Sequence, residues 1–173
     1  MHQPPSIDAQ RPYSADAIHL VRTVEQINVQ LSQMADQKAS ILMGATFVVF
    51  TISIGQARTG EVSVALLLLA ISSFISALLA VMAVLPSVRP SGRAEANLLF
   101  FGNFTQLSEE EFTDQVLGLL HDQKAIFRAM LRDVYQNGRV LQHKKYRYLA
   151  LAYRVFLTGL VLTFISFVAE FLI

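Results

Sequence analysis

The chain contains no cysteine, which excludes disulfide scaffolds, thiol nucleophiles, Fe–S clusters and thiolate zinc sites together. Charge is scarce as well. Asp, Glu, Lys and Arg make up 16% of the 173 residues, against about a quarter in an ordinary soluble domain. Neither sign dominates, because 14 Lys+Arg face 13 Asp+Glu. A chain so close to neutral is not a polyelectrolyte that binds nucleic acid through bulk charge. Catalytic signatures are missing too: His2, His19, His121 and His143 never stand at i and i+4 on one face, and no HExxH, GxxxxGK, GxSxG or GxGxxG occurs. His19 and His121 read as surface or interface histidines, not metal ligands. The chain therefore reads as no enzyme, with no metal and no cofactor. What it has in quantity is apolar surface, 53% of its residues, the composition of a membrane protein.

That apolar content falls in three uncharged runs. Ala39 to Ala57 gives 19 residues, a helix of about 28 Å that matches the hydrocarbon thickness. Val62 to Leu85, ended by Pro86, gives a slightly tilted second span. Only Arg58, Thr59, Gly60 and Glu61 separate the two, so they form an antiparallel hairpin. The third run, Val155 to Ala169, extends back to Tyr148 through Arg154, whose guanidinium can snorkel to an interface belted by Tyr146, Tyr148 and Tyr153. Glu170 reads as an anchor at the opposite interface. The expected fold is an all-α membrane protein: transmembrane helices over 39–57, 62–85 and 148–173, continuous with a cytoplasmic helical bundle. Arg58 alone among the 14 basic residues lies in the hairpin loop, the other 13 falling before Ala39 or between Pro86 and Arg154. The positive-inside rule then places the N-terminus inside and Ile173 outside. Residues 1–15, with Pro4, Pro5 and Pro12, read as a flexible N-terminus with no signal peptide.

Outside the spans, Leu20, Val24, Ile27, Leu31 and Met34 recur at spacings of 4, 3, 4 and 3, one stripe of an amphipathic helix over 16–38. Phe127, Leu131, Val134, Gly138, Leu141 and Tyr148 offer a matching stripe on a helix from Asp122 to Arg147. Ser108 with Glu111 forms a capping box that opens a shorter helix burying Phe112, Val116, Leu119 and Leu120, so helices occupy 108–147. The loop over 86–107 holds Pro90, Ser91 and Gly92, then the apolar patch Leu98, Leu99, Phe100 and Phe101 before Gly102, Asn103 and Phe104. Two small-residue faces, Ser72, Ser76, Ala80 and Ser40, Gly44, suit close helix contact within one chain or between chains.

One charge pattern stands out. From Val134 to Ala169 there is no acid, while Arg139, Lys144, Lys145, Arg147 and Arg154 supply five positive charges. Topology explains them, as juxtamembrane cations fix orientation and attract anionic headgroups. The sharper reading is a small anionic ligand bound near the membrane surface, with a cation on its phosphate, an aromatic ring on its base and an Asn at its edge, although composition alone favours topology. Asp36, at the entrance of the first span, gains nothing as a basic anchor and can instead pair with a cation of the last long helix.

Read in order, Asp36, Lys38, Ala39, Ser40 before the first span, Leu99, Phe100, Phe101, Gly102 after the second, and Tyr135, Asn137, Lys145, Tyr146, Arg147, Tyr148, Leu149 entering the third resemble the membrane-spanning effectors of Pycsar, a bacterial anti-phage system named for its pyrimidine cyclase. Asn103 departs from that pattern, which has an acid after the Phe-Gly step. The resemblance implies a functional partner, a pyrimidine nucleotide cyclase that makes cyclic UMP or cyclic CMP on infection. It also implies that this chain senses the nucleotide and impairs the bacterial inner membrane, causing growth arrest or cell death, with Ile173 periplasmic. A ligand bridging Phe100, Phe101 and Asn103 to Asn137, Arg139, Lys144, Lys145 and Arg147 is the expected site, with Asp36 and Lys38 coupling it to the spans. The ligand and the bilayer are the expected partners, with a homo-oligomer and no nucleic acid. The competing readings are a ligand-independent membrane-anchored scaffold and a constitutive pore former.

Overall fold

The described residues of this computed structural model, 13–60, 63–86 and 97–172, form helices joined by short turns, with no strand among them. Thr59, Phe101 and Phe171 are described by backbone alone. Pro4, Pro5 and Pro12, Glu61 of the hairpin loop, and Pro90, Ser91 and Gly92 lie outside the described residues.

The first helix, α1 (Ala17–Thr59), is 43 residues long, about 64 Å at the α-helical rise. It begins where Ser14 turns the chain: its hydroxyl accepts from Asp16 N–H at 3.1 Å and its carbonyl from Ala17 N–H at 2.9 Å. The second, α2 (Val64–Val84), starts on Ser63, whose hydroxyl accepts from Leu66 N–H at 3.2 Å. It stops because Pro86 disfavours helical backbone at the residue before it, and Leu85 accordingly sits at φ −53°, ψ 132°. A single turn, α3 (Phe101–Phe104), precedes α4 (Glu109–Leu120), which carries the expected capping box: Ser108 Oγ accepts from Glu111 N–H, and Glu111 Oε2 from Ser108 N–H. Helix α5 (Gln123–Val140) runs without a break through a π-helical segment (Leu141–Tyr146) into α6 (Arg147–Leu172). Among the described residues three rods are long and apolar enough to cross a membrane: α1, α2 and the continuous α5–α6.

Helix α2 lies between α1 and α6 and packs on both far more extensively than they pack on each other. Small side chains make these contacts. Ala35, Ala39 and Ala83 pack with Leu149, and one turn further along Leu42, Ala80 and Ala152 pack together. Ser76 Oγ donates to the Ala152 carbonyl at 2.8 Å, and Gly159 meets Ser72 so closely that a Cβ there has no room. The face Ser72, Ser76, Ala80 is thus used within one chain, whereas Ser40 and Gly44 are exposed. Phe47, Ile52, Leu157, Phe164 and Phe167 point outward. Lipid tails provide no hydrophobic drive between helices, so close backbone approach supplies the attraction and large apolar side chains are best left facing the lipid. At the end far from the lysines, Glu170 Oε1 accepts from Ala65 N–H and from the Ser166 hydroxyl, each at 3.3 Å. The carboxylate sits at the first turn of α2, where the helix dipole favours negative charge.

The seam between α1 and α5 differs from the expected one. Leu20, at 67% exposed, Val24, Ile27 and Met34 face outward, as does Leu131. The inward stripe of α1 runs one residue later, through Val21, Asn28, Ser32, Ala35, Ala39 and Leu42. Hydrogen bonding selects that register: Asn28 Nδ2 donates to the Val134 carbonyl at 3.1 Å, beside Gly138. Leu141 is buried as expected.

Candidate functional site

Two polar clusters lie where α1, α5 and the π-helical segment meet the lysine-bearing end of the spans. The first is built on the π-helical segment. Asn137, Leu141, Lys145 and Leu149 follow one another at four-residue steps, and each such step overshoots a 3.6-residue turn by about 40°. The wider π turn absorbs that drift, so all four stay on the packed side of the rod. Lys145 is thereby held against α1: its Nζ donates to Asp36 Oδ2 at 2.7 Å, to Asp36 Oδ1 at 2.8 Å and to Ser32 Oγ at 2.7 Å. This is the ion pair among the described residues, with side-chain exposures of 20% for Lys145 and 39% for Asp36. Lys144, the residue before Lys145 on the rod, donates to the Leu85 carbonyl at the end of α2. Tyr146 and Tyr153 hydroxyls donate to the Leu31 and Lys38 carbonyls, each at 3.3 Å. One short stretch therefore ties α1, α2 and α6 together.

The second cluster is a buried amide and carboxylate network. Asn97 Nδ2 donates to Asp133 Oδ1 at 2.7 Å and to Gln136 Oε1 at 3.0 Å, while Asn137 Nδ2 donates to Asp133 Oδ2 at 2.8 Å. Asn97 Oδ1 accepts from Leu99 N–H, and its carbonyl accepts from Asn103 Nδ2 at 3.4 Å. Asn97, Asn103 and Asp133 are all buried. Phe100 lies over Gly102, where a Cβ would approach its ring to 2.6 Å. The network pins the segment after α2 onto α5. Asn97→Ala strips donors from Asp133 and Gln136 at once, and each buried group left unpaired costs about 1–3 kcal/mol. Hydrogen exchange is expected to speed up over residues 97–107 while the spans keep their protection.

The expected site residues thus divide. Asn103 and Asn137 meet through Asn97 and Asp133, and Asp36 meets Lys145. Lys144 instead engages the end of α2, while Arg139 and Arg147 are exposed. Lys38 is exposed and borders a groove of about 330 Å³ with Tyr146, Leu149, Ala150 and Tyr153. The Phe101 side chain lies outside the description. Sequence reasoning missed Asn97, Asp133 and Gln136. Their signal was present in Asp133, Gln136 and Asn137, an acid followed at i+3 and i+4 by two amides on one helix face. Asn103, the departure from the Pycsar pattern, has a physical role here: its amide donates to a carbonyl, which an ionised acid cannot do.

No curated protein and no solved structure matches the chain. A family model described as the Pycsar effector protein domain matches residues 19–170, a span that takes in both clusters and all three long apolar rods.

Proposed function

Because the chain belongs to the Pycsar effector family, and so to a class of anti-phage defence effectors, we propose that it senses cyclic UMP or cyclic CMP made by a partner cyclase and then impairs the bacterial inner membrane. The lysine-bearing end faces the cytoplasm, in keeping with the positive-inside rule. The observation that carries this reading is the position of Lys145: a cation clamped to α1 at the joint between α5 and the last span. A phosphodiester anion competes with Asp36 for that ammonium, while the amides around Asp133 and the ring of Phe100 suit a pyrimidine's polar edge and face. Arg139 and Arg147, exposed on the same rod, complete an anion-attracting surface. Taking Lys145 from Asp36 loosens α1 from the π-helical segment, and so connects ligand to spans.

The energetics favour several subunits. Moving a closed population from 99:1 to 1:99 requires about ten-thousand-fold tighter binding to the leaky state, more than one phosphodiester contact supplies. A homo-oligomer multiplies the bias, and the exposed stripe Leu20, Val24, Ile27 and Met34, outside the spans, supports such assembly. Equilibrium dialysis of the protein in lipid nanodiscs tests the sensing step. One cyclic pyrimidine nucleotide should bind, cyclic AMP should not, and Arg139→Ala and Lys145→Ala should each weaken binding by ~10-fold or more, a charged hydrogen bond being worth about 1.5–3 kcal/mol. Wild-type affinity in both variants would remove these residues from the site.

A further inference from the structure

We propose that the hydroxyl-bearing seam between α1, α2 and α6 is the water path through which the membrane leaks, and that the alanine-rich layers beneath Lys145 and Asp36 are its gate. The proposal rests on the reading of the chain as a membrane-impairing effector.

Four hydroxyl side chains inside the apolar rods are wholly or almost wholly buried: Thr46, Ser53, Ser73 and Ser76. Thr46, Ser53 and Ser76 donate to the carbonyls of Leu42, Val49 and Ala152. Ser73 Oγ has no protein partner among the described residues, nor has the buried Thr163 Oγ1 on α6. A hydroxyl left unpaired in an apolar interior is costly unless water or another conformation satisfies it. Both stand beside the Ser72–Gly159 crossing, Ser73 as the next residue of α2 and Thr163 one turn along α6.

The two ends of the seam differ. At the Glu170 end Thr163 lines a cleft of about 550 Å³ whose polar members include Gln56, Ser63 and Glu170. With the lysines cytoplasmic, that mouth faces the periplasm. Toward the lysines the hydroxyls stop at Thr46 and Ser76, and two packed layers follow, Leu42, Ala80, Ala152 and then Ala39, Ala83, Leu149. Apolar constrictions of this kind close a path by excluding water. Only beyond them stand Lys145 and Asp36. A ligand that draws Lys145 from Asp36 releases α1 from the π-helical segment right where these layers close, and their small side chains need little separation to admit water.

The absence of native cysteine makes the test direct. Single substitutions Thr163→Cys, Ser73→Cys, Ala80→Cys and the outward-facing Phe47→Cys, which borders neither the Lys38 groove nor the Thr163 cleft, are expressed in cells with an inducible pyrimidine nucleotide cyclase. A membrane-impermeant cationic thiosulfonate is added from outside while membrane potential is followed. Thr163→Cys should be modified before and after cyclase induction, Ser73→Cys and Ala80→Cys at least ~10-fold faster after it, and Phe47→Cys at neither stage. Ser53→Cys, on α1 in the same seam, replaces Ser73→Cys if that variant is lost from the membrane. Depolarisation with Ser73→Cys and Ala80→Cys left as unreactive as Phe47→Cys overturns the path and leaves the effector reading standing. No depolarisation in the parent chain, with cyclic nucleotide confirmed in the cells, overturns the effector reading and the path with it.

Discussion

Asp36→Asn and Lys145→Met are expected to move the nucleotide response in opposite directions. Both remove the ion pair, so a purely structural role for it would make them alike. If Lys145 is also the group that the ligand's phosphate takes, their effects diverge. Lys145→Met keeps the length of the side chain but abolishes the charge and its three donations to Asp36 and Ser32, and the nucleotide loses its cation. The response to added nucleotide should disappear at any attainable ligand concentration, over a resting leak raised in both variants because each frees α1 from the π-helical segment. Asp36→Asn leaves Lys145 in place with a weaker competitor. A partly exposed pair with hydrogen bonds to both carboxylate oxygens contributes about 1–2 kcal/mol. Its loss should therefore lower the half-maximal nucleotide concentration by ~10-fold. A dose–response of membrane potential against nucleotide for the two variants checks this, and identical shifts would reduce the pair to a structural tie.

The second large effect concerns the spans. Gly159→Ala places a Cβ against Ser72 Cβ and Oγ, atoms too near the α2 backbone to swing aside. Overpacking of this kind costs about 1–3 kcal/mol, and with no flexible side chain to yield the upper end applies. Alanine is otherwise the better helix former by about 1 kcal/mol, so an open glycine should respond with the opposite sign. Gly44 and Gly55 of α1 provide that control, because a Cβ at either meets nothing within 4 Å. Thermal unfolding in detergent should show Gly159→Ala destabilised and Gly44→Ala unchanged or more stable. Equal behaviour of the two would mean that α2 and α6 do not cross at Ser72.

The helices themselves were legible because the bilayer and the helix ends leave coarse marks in the sequence. Uncharged runs long enough to span, Pro86 after the second of them and the capping box at Ser108 are local signals, and each has its counterpart in the helices α1, α2, α4 and α6. Helix facing was harder. The stripe from Leu20 to Met34 has ideal heptad spacing, yet α1 turns its neighbouring residues inward because Asn28 and Ser32 find partners on the rod and Ala35 and Ala39 permit close approach. Heptad spacing identifies a helix that needs covering but not what covers it. The π-helical segment was also hidden, since a run of four-residue steps only acquires meaning once Leu141, Lys145 and Leu149 are known to share a face. The pairing of Asp36 with a cation of the last rod could be anticipated from its misplaced charge, and Lys145 is that cation. Asn97 was not anticipated, because its partners lie 36 and 39 residues away.

The most direct measurement is membrane potential in inside-out vesicles carrying the chain, with cyclic UMP, cyclic CMP or cyclic AMP added to the exposed cytoplasmic face. The expected result is depolarisation by one cyclic pyrimidine nucleotide, none by cyclic AMP, and none by any nucleotide in vesicles carrying Lys145→Met. A potential that holds with every nucleotide, in vesicles where the protein is shown to be inserted, would contradict the account and favour a ligand-independent scaffold.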